Sequence, residues 1–336
     1  MYLLITLLSI IWLLDIANLF KEQRVSGRFQ LYEFGLKESN ALKGILALGI
    51  VLSHLQTFCF KPYDYPIVNQ FAVFAQVGVF FFISGYGLVA AYHKKGHEYL
   101  HGFLRHRLSK VVLPLVLATA IYIVERNIFF TETGGVKSDT PLPFSWFCYV
   151  IILYYIAFYG SLKVTKSIGN TIVLLFVLTS ACYFIMGKYL HLGDWWYRST
   201  WGFNIGMIVK FFETPIKAQL KRFLIPVMLL VPFGLFCIYA AGHFGMDMEV
   251  QAIGISLLLL LFIYTTGFKT SKYFNWLGRY SYEIYLCHPM AIAFYPLWPI
   301  NGFLGDCIYI ISLFIVTMLM AKFLKFISNK ITRWRN

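Results

Sequence analysis

Long apolar blocks that recur along the whole chain constrain its fold more than any other feature. Of the 336 residues, 59% are hydrophobic and 13% are charged. The apolar residues gather in blocks of about 17 to 25, the length that a helix needs to cross a bilayer. The sequence therefore predicts an all-α polytopic membrane protein with about 11 transmembrane helices. We place the spans at Tyr2–Phe20, Ala41–Phe60, Ile67–Tyr92, Val111–Phe130, Phe144–Leu162, Ile168–Lys188, Ser199–Phe212, Phe223–Ala241, Val250–Gly267, Tyr280–Ile300 and Phe303–Ile327.

Basic residues are distributed unevenly among the connections between these spans. All but five of the 29 Lys and Arg residues fall in alternate connections or in the carboxyl-terminal tail. Because basic loops stay in the cytoplasm, we predict a multi-pass protein of the cell (plasma) membrane with its amino terminus outside and its carboxyl terminus in the cytoplasm. The formal net charge of +14 then reflects this topology and predicts no nucleic-acid partner. The five exceptions are Lys61, Arg126, Lys137, Lys188 and Arg198.

The chain offers no hydrophilic stretch long enough to form a core of its own. We divide it into an extra amino-terminal transmembrane helix (1–20), a membrane domain (41–327) and a basic cytoplasmic tail (328–336). The six cysteines show no paired spacing typical of metal ligands, so we predict no metal site. Any chemistry must be carried by residues of the helices.

The stretch KGILALGIVLSH, residues 43–54, sets a histidine into an otherwise apolar run. Eleven residues make three helical turns and about 20°, so Lys43 and His54 share one stripe of a helix, about 16 Å apart along its axis. His54 therefore lies near the middle of the membrane when Lys43 lies at the cytoplasmic edge. A histidine at that depth either has a task or is hydrogen-bonded to a neighbouring helix, and the residues leave both readings open.

A basic cluster lies immediately before the fourth span, in the stretch FLRHRLSKVVLPL. Arg105, Arg107 and Lys110 converge there on the predicted cytoplasmic side. A positive-inside cluster is one explanation. Cations converging at a helix end also bind phosphates, Arg through a bidentate fork and Lys as a point charge, so a phosphate site is the other explanation.

Four further residues are candidate substrate-binding groups. Glu283 and His288 lie in the stretch LGRYSYEIYLCHPM and are five residues apart, so they do not share a helix stripe. Glu125 ends the fourth span on the outward side, and Trp201 flanks the seventh span on the same side. Aromatic residues there form an interfacial belt, although sugars also stack on such rings.

Taken together, these stretches resemble the acyltransferase family 3 integral membrane proteins. The resemblance covers nearly the whole chain after the first span. It departs from the family pattern at Lys43 and Lys110, which stand where Arg is common, and in the extra helix Tyr2–Phe20 ahead of the family's ten-helix core. The resemblance depends on the order and spacing of Lys43 to His54, of GVFFFISGYGL (Gly78–Leu88), of Arg107, Lys110 and Pro114, and of SYEIYLCH (Ser281–His288).

The resemblance implies an acyl-CoA-dependent O-acyltransferase, an acetyltransferase, that modifies cell-envelope polysaccharide. It implies acetyl-CoA as the acyl donor and a hydroxyl of a cell-surface or lipid-linked glycan as the acceptor. His54 is the implied catalytic residue, as general base or transient acyl carrier. The implied donor-binding residues are Lys43, Arg105, Arg107 and Lys110, and the candidate acceptor-binding residues are Glu125, Trp201, Glu283 and His288.

Two other functions stay open. The first is a transporter or flippase of lipid-linked glycan, with His54 lining a passage, and the second is a non-catalytic component of a polysaccharide synthesis complex. Acetyl-CoA binding and transfer of labelled acetyl separate the enzyme from the transporter. The lipid bilayer and a glycan are the predicted partners, and the oligomeric state has no signal in the sequence.

Overall fold

The chain folds into helices throughout the part that the computed structural model describes, which is residues 31–59, 73–130, 136, 138–241, 247–266, 272–300 and 302–334. These residues contain no strand, which confirms the predicted all-α fold. The predicted span Tyr2–Phe20 lies outside the described residues. The α-helices are α1 (Leu36–Phe58), α2 (Val73–Lys95), α3 (Phe103–Phe129), α4 (Trp146–Thr165), α5 (Ile168–Phe184), α6 (Trp201–Phe211), α7 (Glu213–Ala241), α8 (Asp247–Thr266), α9 (Lys272–Gly278), α10 (Ser281–Ala293) and α11 (Phe303–Trp334).

Six helical segments of the described ranges are long and apolar enough to cross a membrane. They confirm a multi-pass membrane protein. The count of eleven spans and the orientation of the termini stay predictions. The six segments are Gln76–Leu100, Phe103–Phe129, Trp146–Thr165, Ile168–Tyr189, Met248–Thr265 and Phe303–Thr332.

Two of the predicted spans correspond to short helices. Where Ser199–Phe212 is predicted, α6 has 11 residues, and it rises only about 16 Å against a hydrocarbon core of about 30 Å. Where Tyr280–Ile300 is predicted, α10 has 13 residues and gives way to a short 3₁₀ segment at Tyr295–Leu297. Neither helix alone is long enough to cross the bilayer, and both are packed inside the helical bundle.

Glycines allow α6 to lie against α2 in backbone contact. A Cβ atom on Gly206 would lie 2.1 Å from the carbonyl oxygen of Phe82, and one on Gly202 would lie 2.2 Å from that of Gly78. Real Cβ atoms do not approach backbone oxygens this closely. The small residues of GVFFFISGYGL and of α6 therefore serve close helix packing, as small residues do in membrane proteins.

Helices α1 and α10 are neighbours near the middle of the bundle. Helix α1 packs against α2, α9 and α10, while α10 packs in addition against α3 and α11. The α10 side chains from Glu283 to Ala293 are all buried. This packing places the Lys43 to His54 stripe of α1 beside the SYEIYLCH stretch of α10.

A carboxylate outside the predicted spans joins four helices, α2, α6, α7 and α8, at one end of the bundle. Glu213, at the start of α7, accepts hydrogen bonds from the hydroxyls of Tyr86 at 2.8 Å and Tyr264 at 2.9 Å. It also pairs with Lys210 and, at 3.1 Å, with Lys217. Burial alone would raise the pKa of this carboxyl, but its four hydrogen-bond donors lower it to about 2.

We expect Glu213→Gln to lower the free energy of unfolding at pH 7 by about 3 kcal/mol, because it breaks a buried ion pair on one side. The folded-state pKa lies below the ordinary value of about 4.3. The carboxylate therefore stabilises the fold above that pH and loses this effect as the pH falls toward 2. Thermal unfolding in detergent checks this prediction. The difference in stability between the wild type and Glu213→Gln should become smaller as the pH is lowered. The exposed Glu98→Gln variant is the control, and an equal effect of both variants would contradict the prediction.

Candidate active site

Two buried histidines meet where α1 packs against α10. The Nδ1 atom of His54 lies 2.8 Å from Nε2 of His288, although the residues are 234 positions apart in sequence. His54 is 7% exposed and His288 is fully buried. The sequence places His54 on the stripe of Lys43, but it gives no sign that His288 is its partner.

The two imidazole rings lie side by side, nearly in one plane. Their planes differ by 6° and their centroids are 4.9 Å apart, which, together with the short nitrogen to nitrogen distance, excludes face-to-face stacking. The ring of Phe144 covers one face of His54 at a centroid distance of 4.0 Å. Phe144 has a φ of 63°, a strained backbone conformation for a residue with a side chain.

Pro289 determines where the second nitrogen of His288 binds. A proline has no N–H, so the carbonyl of Tyr285, four residues earlier in α10, receives no helical hydrogen bond from it. The Nδ1 atom of His288 lies 2.7 Å from that carbonyl oxygen. The ring is therefore held at both nitrogens, by Tyr285 on one side and by His54 on the other.

A cavity of about 770 Å³ approaches this pair from the basic end of α1. Its apolar part includes Ile50 and Tyr285, which lie four and three residues before His54 and His288 respectively. Its polar part includes Lys43, Arg107 and Lys110. The cavity thus brings together three of the four residues that the sequence proposes for donor binding and ends close to the histidines.

Arg107 is the most firmly held of these cations. Its guanidinium donates to the hydroxyl of Tyr99 at 2.5 Å and lies about 6 Å from the ring centroids of Tyr99, Phe103 and Tyr155. Cation–π contacts hold such a group in one orientation. Arg105, two residues earlier, is exposed and does not line the cavity.

Two further cations of the cavity come from the carboxyl-terminal helices. Arg279 follows α9 and Lys325 belongs to α11. Lys325 donates to the backbone carbonyl of Arg279 and pairs with Glu283 at 3.3 Å. Sequence reasoning missed both cations because basic residues near the ends of helices are the ordinary sign of a cytoplasmic loop. Among the described residues that line the cavity, five are basic and only Glu283 is acidic.

The four candidate acceptor-binding residues do not form one group. Glu283 lies in the wall of the basic cavity, and His288 is bonded to His54. Trp201 packs against Phe176 and Tyr183 of α5, at centroid distances of 5.3 and 6.0 Å, and does not line the cavity. Glu125 lies toward the other end of α3 from Arg107, with its Oε1 atom buried and without a hydrogen-bond partner in the described part of the chain.

The described side chains form no group of three or more His, Cys, Asp or Glu that could hold a metal ion. The chemistry available in this part of the molecule is that of two imidazoles, a set of cations and a cavity. Imidazole accepts protons and attacks acyl groups, and clustered cations bind anions.

Comparison with known proteins identifies the family. No curated protein and no solved structure gives a significant match to the chain. The family model described as an acyltransferase domain, that of acyltransferase family 3, matches residues 36–322. This range includes both histidines and four of the five basic residues of the cavity, all except Lys325. The chain therefore belongs to acyltransferase family 3, and it is a multi-pass membrane acyltransferase.

Proposed function

We propose that this protein moves an acyl group, acetyl in the first instance, from cytoplasmic acyl-CoA to a hydroxyl of a cell-surface or lipid-linked glycan. The observation that supports this best is the cation-rich cavity that ends within about one helical turn of a buried pair of histidines. A donor that carries phosphates at one end and a reactive thioester at the other needs these two environments at opposite ends of one cavity.

The charge of the cavity supports a coenzyme A thioester as the donor. Coenzyme A carries a diphosphate and a ribose phosphate at one end and the acyl group at the other. The described lining offers Lys43, Arg107, Lys110, Arg279 and Lys325. Arg supplies bidentate contacts and Lys supplies compact charge to phosphate oxygens. Because basic segments stay in the cytoplasm, the basic end of the cavity is proposed to face that side.

The length of α1 supports delivery of the acyl group to His54. Lys43 and His54 are about 16 Å apart along the helix axis, and Ile50 lines the cavity between them. An apolar channel of this kind suits the flexible arm of the donor. The phosphates stay with the cations while the thioester reaches the histidine, so the donor need not cross the membrane.

The acceptor is proposed to enter from the opposite side. Glu125 lies 18 residues after Arg107 on α3, about 27 Å farther along the helix. Its Oε1 atom is buried and has no hydrogen-bond partner among the described residues, which suits it to accept a hydrogen bond from a sugar hydroxyl. Trp201 remains a candidate for stacking on the sugar, although its ring packs on α5.

In the proposed reaction, His54 takes the proton of the acceptor hydroxyl as general base. The oxygen forms a bond to the thioester carbonyl carbon, and the carbon to sulfur bond breaks. The proton passes from His54 to the departing sulfur, which leaves as the thiol. The transient acyl carrier is the second possible role of His54, and both roles need one unprotonated ring nitrogen.

Incubation of membranes that contain the protein with radiolabelled acetyl-CoA tests this function. The expected result is label in surface glycan or in its lipid-linked precursor, together with release of free coenzyme A thiol. Movement of lipid-linked glycan across the membrane without acetyl transfer would support the transporter. Co-purification with polysaccharide synthesis enzymes without either activity would support the non-catalytic component.

Arg107→Ala is expected to raise the KM for acetyl-CoA by roughly 10- to 150-fold, because one charge-assisted contact worth about 1.5 to 3 kcal/mol is lost. Arg107→Lys keeps the charge but loses the fork, so its KM should lie between those of the wild type and the alanine variant. Steady-state kinetics with acetyl-CoA checks this, with the exposed Lys94→Ala as the charge-matched control. An unchanged KM in Arg107→Ala would indicate a purely topological role for the cluster.

A further inference from the structure

We propose that His288 is a positioning residue that holds His54 in the tautomer with an unprotonated Nε2 atom. The inference rests on the proposed function, in which His54 is the base. It assigns to His288 a role other than contact with the substrate, and it follows from a chain of hydrogen bonds through α10 and α1.

This series of hydrogen bonds begins at the backbone carbonyl of Tyr285. A carbonyl oxygen can only accept a hydrogen bond, so the Nδ1 atom of His288, 2.7 Å away, must carry the hydrogen. Pro289 makes this carbonyl available, since it supplies no N–H to the helical bond that would normally end there. The tautomer of His288 is thus fixed by the backbone of its own helix.

The next bond transmits this constraint to His54. His288 is fully buried, and an interior without water disfavours a charged imidazole. A neutral imidazole has one N–H, so the Nε2 atom of His288 is an acceptor. The Nδ1 atom of His54, 2.8 Å away, must then be the donor. The hydrogen of His54 is on Nδ1, and its Nε2 atom is the basic one.

Ring geometry supports this assignment. Ring N–H groups and nitrogen lone pairs both lie in the plane of an imidazole, and the planes of His54 and His288 differ by only 6°. Phe144, stacked on His54 at 4.0 Å with a 12° angle between the planes, limits rotation of that ring. The His54 ring is therefore constrained both in tautomer and in orientation.

This arrangement has a chemical benefit in the proposed step. When the Nε2 atom of His54 takes the hydroxyl proton, the ring becomes a cation and keeps its Nδ1–H bond to His288. No hydrogen bond has to be rearranged, and the bond becomes charge-assisted and stronger. Without His288, the Nε2–H tautomer of His54 would compete, and in that tautomer the Nε2 atom cannot take the hydroxyl proton.

Two substitutions separate positioning from packing. In His288→Gln, the side-chain oxygen can still accept from Nδ1 of His54, whereas in His288→Leu no acceptor remains. We expect His288→Leu to lower kcat for acetyl transfer by roughly 10²- to 10⁴-fold, as loss of a tautomer-fixing partner does in hydrolytic triads, with little change in the KM for acetyl-CoA. His288→Gln should recover much of the rate. His106→Leu, at an exposed histidine of α3, is the control.

A direct measurement is ¹⁵N NMR of the histidine side chains in protein reconstituted into nanodiscs, with His54→Ala used to assign the His54 signals. The wild type and His288→Gln should show His54 protonated on Nδ1, and His288→Leu should show a mixture of tautomers. Protonation of His54 on Nε2 in the wild type, or an unchanged kcat in folded His288→Leu, would overturn the inference. If the tautomers are as expected but no variant or wild type transfers acetyl, the proposed function fails and the hydrogen-bond assignment stands.

Discussion

His54→Ala is expected to abolish acetyl transfer while the protein still folds and binds acetyl-CoA. The substitution removes the nitrogen that takes the acceptor proton, and loss of a positioned base costs about 10²- to 10⁴-fold in rate. It also leaves the Nε2 atom of His288 without its donor, at a cost of about 1 to 3 kcal/mol in stability. Comparison of acetyl incorporation with thermal stability and acetyl-CoA binding separates the two effects.

The exposed His106→Ala variant is the matched control for the His54 experiment, since it removes an imidazole that does not line the cavity. Its transfer rate should equal that of the wild type. Normal acetylation by well-expressed His54→Ala would remove this residue from the mechanism. Loss of acetyl-CoA binding in the same variant would point instead to a role for His54 in holding the donor.

Gly206→Leu is expected to prevent assembly of the helical bundle. Even a single Cβ atom at this position would lie 2.1 Å from the carbonyl oxygen of Phe82 and 2.9 Å from the amide nitrogen of Tyr86. These are backbone atoms of α2, so a rotamer change cannot relieve the collision and the helices must separate. We expect little monodisperse protein after extraction with detergent, as measured by fluorescence-detected size-exclusion chromatography.

Gly160→Leu is the control for the α6 substitution. Gly160 also lies inside a helix, α4, and nothing stands within 4 Å of a Cβ atom placed on it. Its leucine variant should elute as the wild type does. If Gly206→Leu behaved in the same way, the close contact of α2 with α6 would not be needed for folding.

Helical periodicity allowed much of the basic half of the site to be predicted from the sequence. Lys43 and His54 are eleven residues apart, and that spacing alone places them on one stripe of α1. Arg107 and Lys110 are marked by their charge and by their place before a span. The structure puts Lys43, Arg107 and Lys110 on one cavity, whereas exposed Arg105 faces away from it, because two residues turn a helix by about 200°.

The rest of the site depends on contacts that no local pattern encodes. Nothing in either stretch of sequence indicates that His54 and His288 are partners across 234 residues. Phe144 adopts a positive φ without being Gly, Asn or Asp, the residue types that usually signal this conformation. Glu283 is placed in the basic cavity by the ion pair with Lys325 of α11, a contact that forms only when the last helix packs.

The depth of the cavity also bears on the response of the protein to membrane voltage. Solution that fills an open cavity lies near the potential of the compartment to which the cavity opens, so the voltage across a bilayer falls mainly over the remaining protein. The region of Phe144, His54 and His288 lies just beyond the inner end of the cavity. A proton that crosses such a septum gains or loses up to about 2.3 kcal/mol per 100 mV. In the proposed reaction, the proton passes only from the acceptor hydroxyl to His54 and on to the departing sulfur, so no charge has to cross this septum.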